Sequence, residues 1–450
     1  MTLLKQVVEQ VQAFSPRRLL ARSFVRNVGV LILANGVKAV LSFVQGILVA
    51  RWLGPELYGV AALVMSIPLL VYTFFDARSA EASVKFLSEF HVRGEREKAL
   101  AMCKVGYVVD FTIALLAFLV CFFIAPWAAQ NIAHRPEVVE LIILYASAFL
   151  PRALAGTSYA VLASFGSFPA IAFIEVITTL VRVVLVLGLV GLGWQVAGVV
   201  WGNAMAMVLT GLLYSMYAFP LAKQQWSGSW WQGDWHLLKG RRREIFGFLI
   251  YNDLNALLKM IPQQLDVVLL GYFRNPTEVG YYKLAKSLAG VISYVVSPLQ
   301  SVVYPDLVRL WGIGDMRAFW QRVRKLAMQV GLPLGFAVLL GTVFIPFILP
   351  VLVSETYRPA VVSCQLLLVS SAVWLIFFWL RPTYLARAQV GALTLGLVFY
   401  SGTFLFLAPL ASYLGVEALS ALHAFVNISF YLVMGVFLSA GSKRTSRAAI

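Results

Sequence analysis

Runs of mostly apolar residues, each near the roughly 20 that a bilayer-crossing helix needs, recur from one end of this chain to the other. They fall at about 28–50, 58–76, 101–126, 138–163, 168–190, 194–219, 245–271, 279–304, 326–349, 359–383, 388–409 and 411–439. The loops between them are short on one side; the first is little more than Arg51 to Leu57. No stretch is long and polar enough for a soluble domain. The pattern predicts an all-α integral membrane protein of about twelve transmembrane helices. Only 12% of its 450 residues are charged, against about 25% in soluble domains.

The net charge of +16 suggests nucleic acid until the placement of the cations is considered. With the N-terminus inside, 26 of the 36 lysines and arginines fall on inner segments, 4 on outer loops and 6 within spans. That asymmetry is what the positive-inside rule produces, so both termini are expected in the cytoplasm and no nucleic-acid partner is implied. The expected divisions are a cytoplasmic arm at 1–27, a lobe of six helices at 28–221, a hydrophilic linker at 222–244, a second six-helix lobe at 245–440 and a tail at 441–450. Residues 1–27 carry five cations and no apolar core, unlike a cleavable signal peptide. Val7, Val8 and Val11 suit an amphipathic helix on the cytoplasmic leaflet.

The halves echo each other at an offset of 221 residues. Lys38 meets Lys259, Ser42 meets Gln263, Gln45 meets Asp266, Pro55 meets Pro276 and Gly59 meets Gly280. An even number of spans per half makes this a parallel repeat about an axis along the bilayer normal, with a site between two pseudo-symmetric lobes around a central cavity. A lysine at mid-bilayer costs roughly 2.5–3.5 kcal/mol on insertion scales, so it needs a partner or a wet cavity.

Polar residues form stripes around these lysines. Asn35, Lys38, Ser42 and Gln45 share one helical face, as do Asn252, Asn255, Lys259, Gln263 and Asp266. Such faces either line a cavity or bind neighbouring helices together as polar glue. Glu175, Thr178, Thr179 and Arg182 form a third stripe, either a structural pair or part of a site. Arg152 follows Pro151, which removes a backbone donor and opens the helix there. It suits either an anionic headgroup or the freed carbonyls. Lys283 and Lys286, near the outer surface, can snorkel to headgroups. Asp110, Asp253, Glu175 and Asp266 are the acids away from the span ends, and Asp110, Glu175 and Asp266 are candidates for coupling or gating. The expected substrate-binding residues are Lys38, Lys259, Arg152, Arg182, Gln45, Gln263 and Asn255. Counted away from the span ends, each lobe keeps one net positive charge, which favours an anion, and phosphate suits lysine and arginine.

No enzyme constellation is present. The four histidines lack zinc-motif spacing, there is no phosphate-binding glycine loop, and the three cysteines suggest neither disulfide nor metal. No cofactor is expected beyond a coupling ion, H+ or Na+.

The stretches LVARWLGPELYGVAAL (Leu48 to Leu63), DVVLLGYFRNPTEVGYYKLAKSL (Asp266 to Leu288) and ETYRPAVVSCQLLL (Glu355 to Leu368) resemble polysaccharide and O-antigen flippases of the Wzx type, in the MATE-like flippase superfamily. Asp76-Ala77-Arg78 departs from the Asp-Leu-Gly often found after the second span. The resemblance implies a flippase that moves a polyprenyl-pyrophosphate-linked oligosaccharide to the outer leaflet of a prokaryotic cytoplasmic membrane by alternating access. Basic residues would hold the pyrophosphate while the isoprenoid stays in lipid. Implied partners are the lipid-linked oligosaccharide, membrane lipid and a glycan polymerase or other assembly proteins. Two rival expectations are a MATE-like exporter of small solutes and a non-transporting scaffold for glycan-assembly enzymes.

Overall fold

The computed structural model describes residues 18–75 and 79–447. Within these, the side chains of 18–28, 30–32, 79, 246, 249–256, 259–262 and 439–447 lie outside the described residues, as does most of the arm expected at 1–27. Every described element is helical. Nine stretches are long and apolar enough to cross a membrane among the described residues. Two of them reverse direction at a glycine. In α1 (Arg18–Phe75), Gly54 has φ 71° and ψ 173°, and Pro55 restarts the helix where its missing N–H costs nothing. Between α7 (Phe168–Leu189) and α8 (Gln195–Trp226), Gly193 has φ 88°. Each of these two stretches therefore holds two spans. The helix preceding Arg274, more polar than the rest, completes the twelve.

The other elements of the first half are α2 (Ser79–Val92), α3 (Arg96–Asn131) and a broken span of α4 (Val139–Ser147), α5 (Phe149–Arg152) and α6 (Leu154–Ser164). The second half holds α9 (Arg242–Phe273), α10 (Pro276–Gly290), α11 (Ser293–Gly312), α12 (Met316–Leu326), α13 (Leu332–Leu352), α14 (Val361–Ile376), α15 (Leu380–Ala386), α16 (Val390–Leu414) and α17 (Val416–Arg447). Local sequence sets the turns. Asn275 accepts a hydrogen bond from Glu278 N (3.0 Å) ahead of Pro276, and Asp315 accepts one from Ala318 N (2.9 Å). Both satisfy backbone donors that a helix start leaves unpaired.

Among the described residues, the halves share their largest core at one end. Near Gly54, buried residues such as Val49, Leu63, Ile142, Val200, Leu270, Tyr282, Tyr357 and Leu419 form one cluster drawn from both halves. Towards the linker the cores separate. One is built from residues 82–245 around Phe86, Phe90 and Trp226. Two others are built from residues 296–438 around Phe319, Phe378 and Tyr384. The molecule is thus closed at the Gly54 end, while at the linker end the cores part except where Ile245 and Phe248 at the start of α9 pack onto the first half.

The repeat itself makes the closure. Gly59 packs against Pro276 and Gly280, while Gly280 packs against Pro55. A methyl at Gly59 would lie 2.8 Å from Gly280 N, and one at Gly280 would lie 2.8 Å from the Pro55 carbonyl carbon. The residues matched by the 221-residue offset therefore meet their counterparts across the seam. The Tyr357 hydroxyl donates to Ala50 O (3.1 Å), and His134 Nε2 lies 2.9 Å from the carbonyl oxygens of Gly271 and Arg274. At the opposite end, Trp226, Trp230 and Leu238 pack the linker onto the first half. Arg241 donates to both carboxylate oxygens of Glu89 (2.8 and 3.1 Å) and to Glu244 (2.6 Å).

Candidate functional site

A cavity of about 770 Å³ lies within the first half. Its wall follows from the break in the fourth span. Pro151 supplies no amide proton, and the chain there divides into α4, α5 and α6. Gly211 of α8 lets the broken segment approach closely, because a side chain there would meet the Pro151 carbonyl carbon at 2.8 Å and Arg152 Cα at 3.1 Å. The result is an exposed Arg152 on the cavity wall. It makes no ion pair with a described residue.

Asp110 of α3 supports the same break. Its Oδ2 accepts from Thr157 N (3.0 Å) and Thr157 Oγ1 (2.8 Å) in the first turns of α6. A carboxylate near a helix N-terminus is stabilised both by free N–H groups and by the helix dipole. Asp110 is 6% exposed, and its structural task is visible in these bonds.

The stripes on the first and fifth spans face each other. Lys38 Nζ lies 2.6 Å from Glu175 Oε2, and Tyr214 donates to Glu175 Oε1 at 2.9 Å. Arg182 donates to Ser42 Oγ at 2.6 Å, while its Nε is buried with no hydrogen-bond partner. Lys38 is therefore an ion-paired residue and does not line the cavity, whereas Arg152, Arg182, Glu175 and Asp110 do. Part of the first stripe acts as interhelical glue. The Gln45 amide oxygen is buried without a partner among the described residues.

The second half has its own polar cluster. Asp266 is fully buried. It accepts from Val267 N (2.7 Å), the Tyr282 hydroxyl (2.7 Å) and Lys286 Nζ (2.5 Å). Lys286 also donates to the Gln263 carbonyl oxygen, so it turns inward rather than snorkelling. The side chains of Lys259, Asn255 and Asp253 lie outside the described residues. Gln263 and Lys286 line a second pocket of about 420 Å³.

Sequence reading missed one wall of the first cavity. Asn203, Met207, Thr210 and Tyr214 all line it from α8. Their spacings of 4, 3 and 4 mark one helical face, but no charge drew notice to it. Tyr145, Phe149, Arg152, Gly156 and Tyr159 repeat the pattern on the broken span. Tyrosine, threonine and asparagine thus surround two arginines, with the carboxylates of Glu81, Asp110 and Glu175 on the same lining. This wall can hold a polyhydroxylated anion by hydrogen bonds and charge.

Residues 24–311 match the family described as polysaccharide biosynthesis protein. No curated protein matches the sequence. Among solved structures, an inward-facing multidrug resistance MATE family transporter of the MOP superfamily is 12% identical, with a TM-score of 0.74 over 92% of this chain and 96% of that one. The lipid II flippase MurJ in an inward closed conformation is 12% identical, with a TM-score of 0.69 over 90% and 87%. A MOP superfamily transporter from Pyrococcus furiosus is 14% identical, with a TM-score of 0.60 over 94% and 95%. These likenesses establish a shared all-α transporter fold.

Proposed function

We propose, from the premise that this chain belongs to the polysaccharide biosynthesis protein family, that it flips a polyprenyl-pyrophosphate-linked oligosaccharide across a prokaryotic cytoplasmic membrane. The linker end faces the cytoplasm, in keeping with its excess of lysine and arginine. The headgroup enters from that side, where the halves are apart. The seam at Gly54, Gly59 and Gly280 opens to release it outside.

One observation carries the reading: Arg152 stands exposed on the wall of a large polar cavity and forms no ion pair with a described residue, while Glu175 and Asp110 on the same wall are engaged by Lys38 and Thr157. A cation in a site of reduced dielectric favours a charged partner, and its planar fork suits phosphate oxygens. Arg182, with one unmet donor, adds a second cation on the same wall. Glu175 and Asp266 are the candidates for coupling to H+ or Na+, because each carboxylate is held by a lysine and a tyrosine whose separation would leave its oxygens free for an ion.

The test uses the purified chain in liposomes carrying the source cell's own lipid-linked oligosaccharides, with a glycosidase outside. Headgroup crossing should exceed that of protein-free liposomes and fall to their level in Arg152→Gln/Arg182→Gln. Equal crossing by that variant, folded and present at the same density, removes the cavity from the mechanism. Absence of crossing by the wild-type chain removes the flippase reading.

A further inference from the structure

The pocket in the second half differs in chemistry from the cavity in the first, and nothing above requires it. It lies between α9, α10, the start of α11, α14, α16 and α17. Trp374, Tyr400 and Tyr431 give it aromatic walls. Gln263, Asn427 and His423 supply its amide and imidazole groups. Asn427 donates to Ser370 Oγ (2.6 Å), and its own carbonyl oxygen makes no hydrogen bond to a described residue. His423 Nδ1 is buried with no partner among the described residues. Polar atoms in such positions gain a hydrogen bond when a ligand supplies one, and are costly when left unmet.

The pocket's cation is already neutralised. Lys286 is held by Asp266 at 2.5 Å and by the Gln263 carbonyl oxygen. Arg152 and Arg182 of the first half have no such carboxylate partner among the described residues. The two halves therefore offer different environments: one with several charged side chains of both signs, including two arginines outside any ion pair with a described residue, the other aromatic, rich in hydrogen-bonding groups and, among the described residues, with its cation paired. Neutral sugars suit the second environment. Their C–H faces lie against aromatic rings, which combine apolar faces with polar tips, and their hydroxyls pair with amides and imidazole. A few placed polar groups among aromatic walls are the ordinary make-up of a small-molecule site, and 420 Å³ falls within the usual range of roughly 300–1,000 Å³.

We propose that this pocket is a sugar subsite for uncharged glycosyl units, separate from the phosphate-holding arginines, so that the two halves divide one headgroup between them. The proposal rests on the flippase reading above. It assigns Trp374 as a stacking face and Asn427 and His423 as hydroxyl partners.

Two probes bound to the full chain in nanodiscs test it: sugar-free undecaprenyl pyrophosphate, and the lipid-linked oligosaccharide fraction extracted from the source cell. Wild type should bind the second more tightly. Asn427→Leu and Trp374→Leu should each weaken glycan binding about tenfold, the loss of one or two hydrogen bonds or a stacking face. Both should bind the sugar-free carrier as wild type does, which also shows that they are folded. Arg152→Gln should weaken both probes. Equal binding of both probes by wild type, or undiminished glycan binding by both pocket variants, overturns the sugar subsite and leaves the flippase reading standing. Wild type that binds neither probe overturns both.

Discussion

Substituting Gly59 with alanine should prevent the two halves from closing at the Gly54 end. The added methyl would lie 2.8 Å from both Gly280 N and the Pro276 carbonyl carbon, and closer still to the Pro276 oxygen. Ordinary contact begins at 3.4 Å, so these backbones must part by at least the difference, 0.6 Å. No side chain can rotate aside, because the obstacle is the first turn of α10. Overpacking of this kind costs about 1–3 kcal/mol. At about 1.4 kcal/mol per factor of ten, the closed arrangement should lose roughly 5- to 150-fold in population relative to one with the seam open. Gly280→Ala should act alike, since it meets Pro55 in the mirrored way. Spin labels at Arg51→Cys and Arg358→Cys, exposed positions near this seam, would report the change as a longer distance. The native cysteines Cys103, Cys121 and Cys364 are buried and should label little. Headgroup crossing should fall as well, because alternation needs both arrangements. An unchanged distance distribution in folded Gly59→Ala would refute the argument that this seam closes by backbone contact.

Three further outcomes follow from the same contacts. Lys38→Met or Glu175→Gln alone should destabilise the chain by about 1–2 kcal/mol, less than the 3–5 of a fully buried pair because Glu175 keeps 38% exposure. The double variant should recover at least half of that in thermal unfolding; simple addition of the two losses would contradict the pairing. Asp110→Asn should lower stability by about 1 kcal/mol through its weaker hold on Thr157 while crossing rates stay near wild type, whereas an abolished rate would assign Asp110 to coupling. Outside the spans, Arg241 hydrogen bonds hold the Glu89 and Glu244 carboxyls below their ordinary values. Their contribution to linker docking is therefore complete above the ordinary carboxylate pKa of about 4.3 and is lost as pH falls through the lowered values. Hydrogen-exchange protection over 229–243, taken relative to the intrinsic rate at each pH, should be flat from pH 8 to 6 and fall below about 4, and Arg241→Gln should remove that dependence; identical profiles would count against the pairs.

The spans were legible because lipid leaves a backbone no alternative to helix, and apolar runs of about 20 residues record that constraint directly. The break at Arg152 was legible from Pro151, and the repeat from the paired prolines and glycines at 55, 59, 276 and 280. Sequence also assigned polar residues to shared helical faces, since the 3.6-residue period does so without reference to any neighbour. It could not say what each face meets. Lys38 and Arg152 both read as in-span cations, yet one is paired with Glu175 and the other stands on a cavity wall. Asp266 and Asp110 both read as candidate coupling acids, yet one is held by a lysine and a tyrosine and the other supports the start of α6. The uncharged stripe Asn203–Tyr214 gave no sign of lining the same cavity. Membrane insertion depends on a segment's own composition, so the chain alone determined its helices. Partnership depends on which helices lie within a few ångströms after packing, often more than a hundred residues apart in sequence, so only the tertiary structure decided which charges are spent and which remain for a ligand.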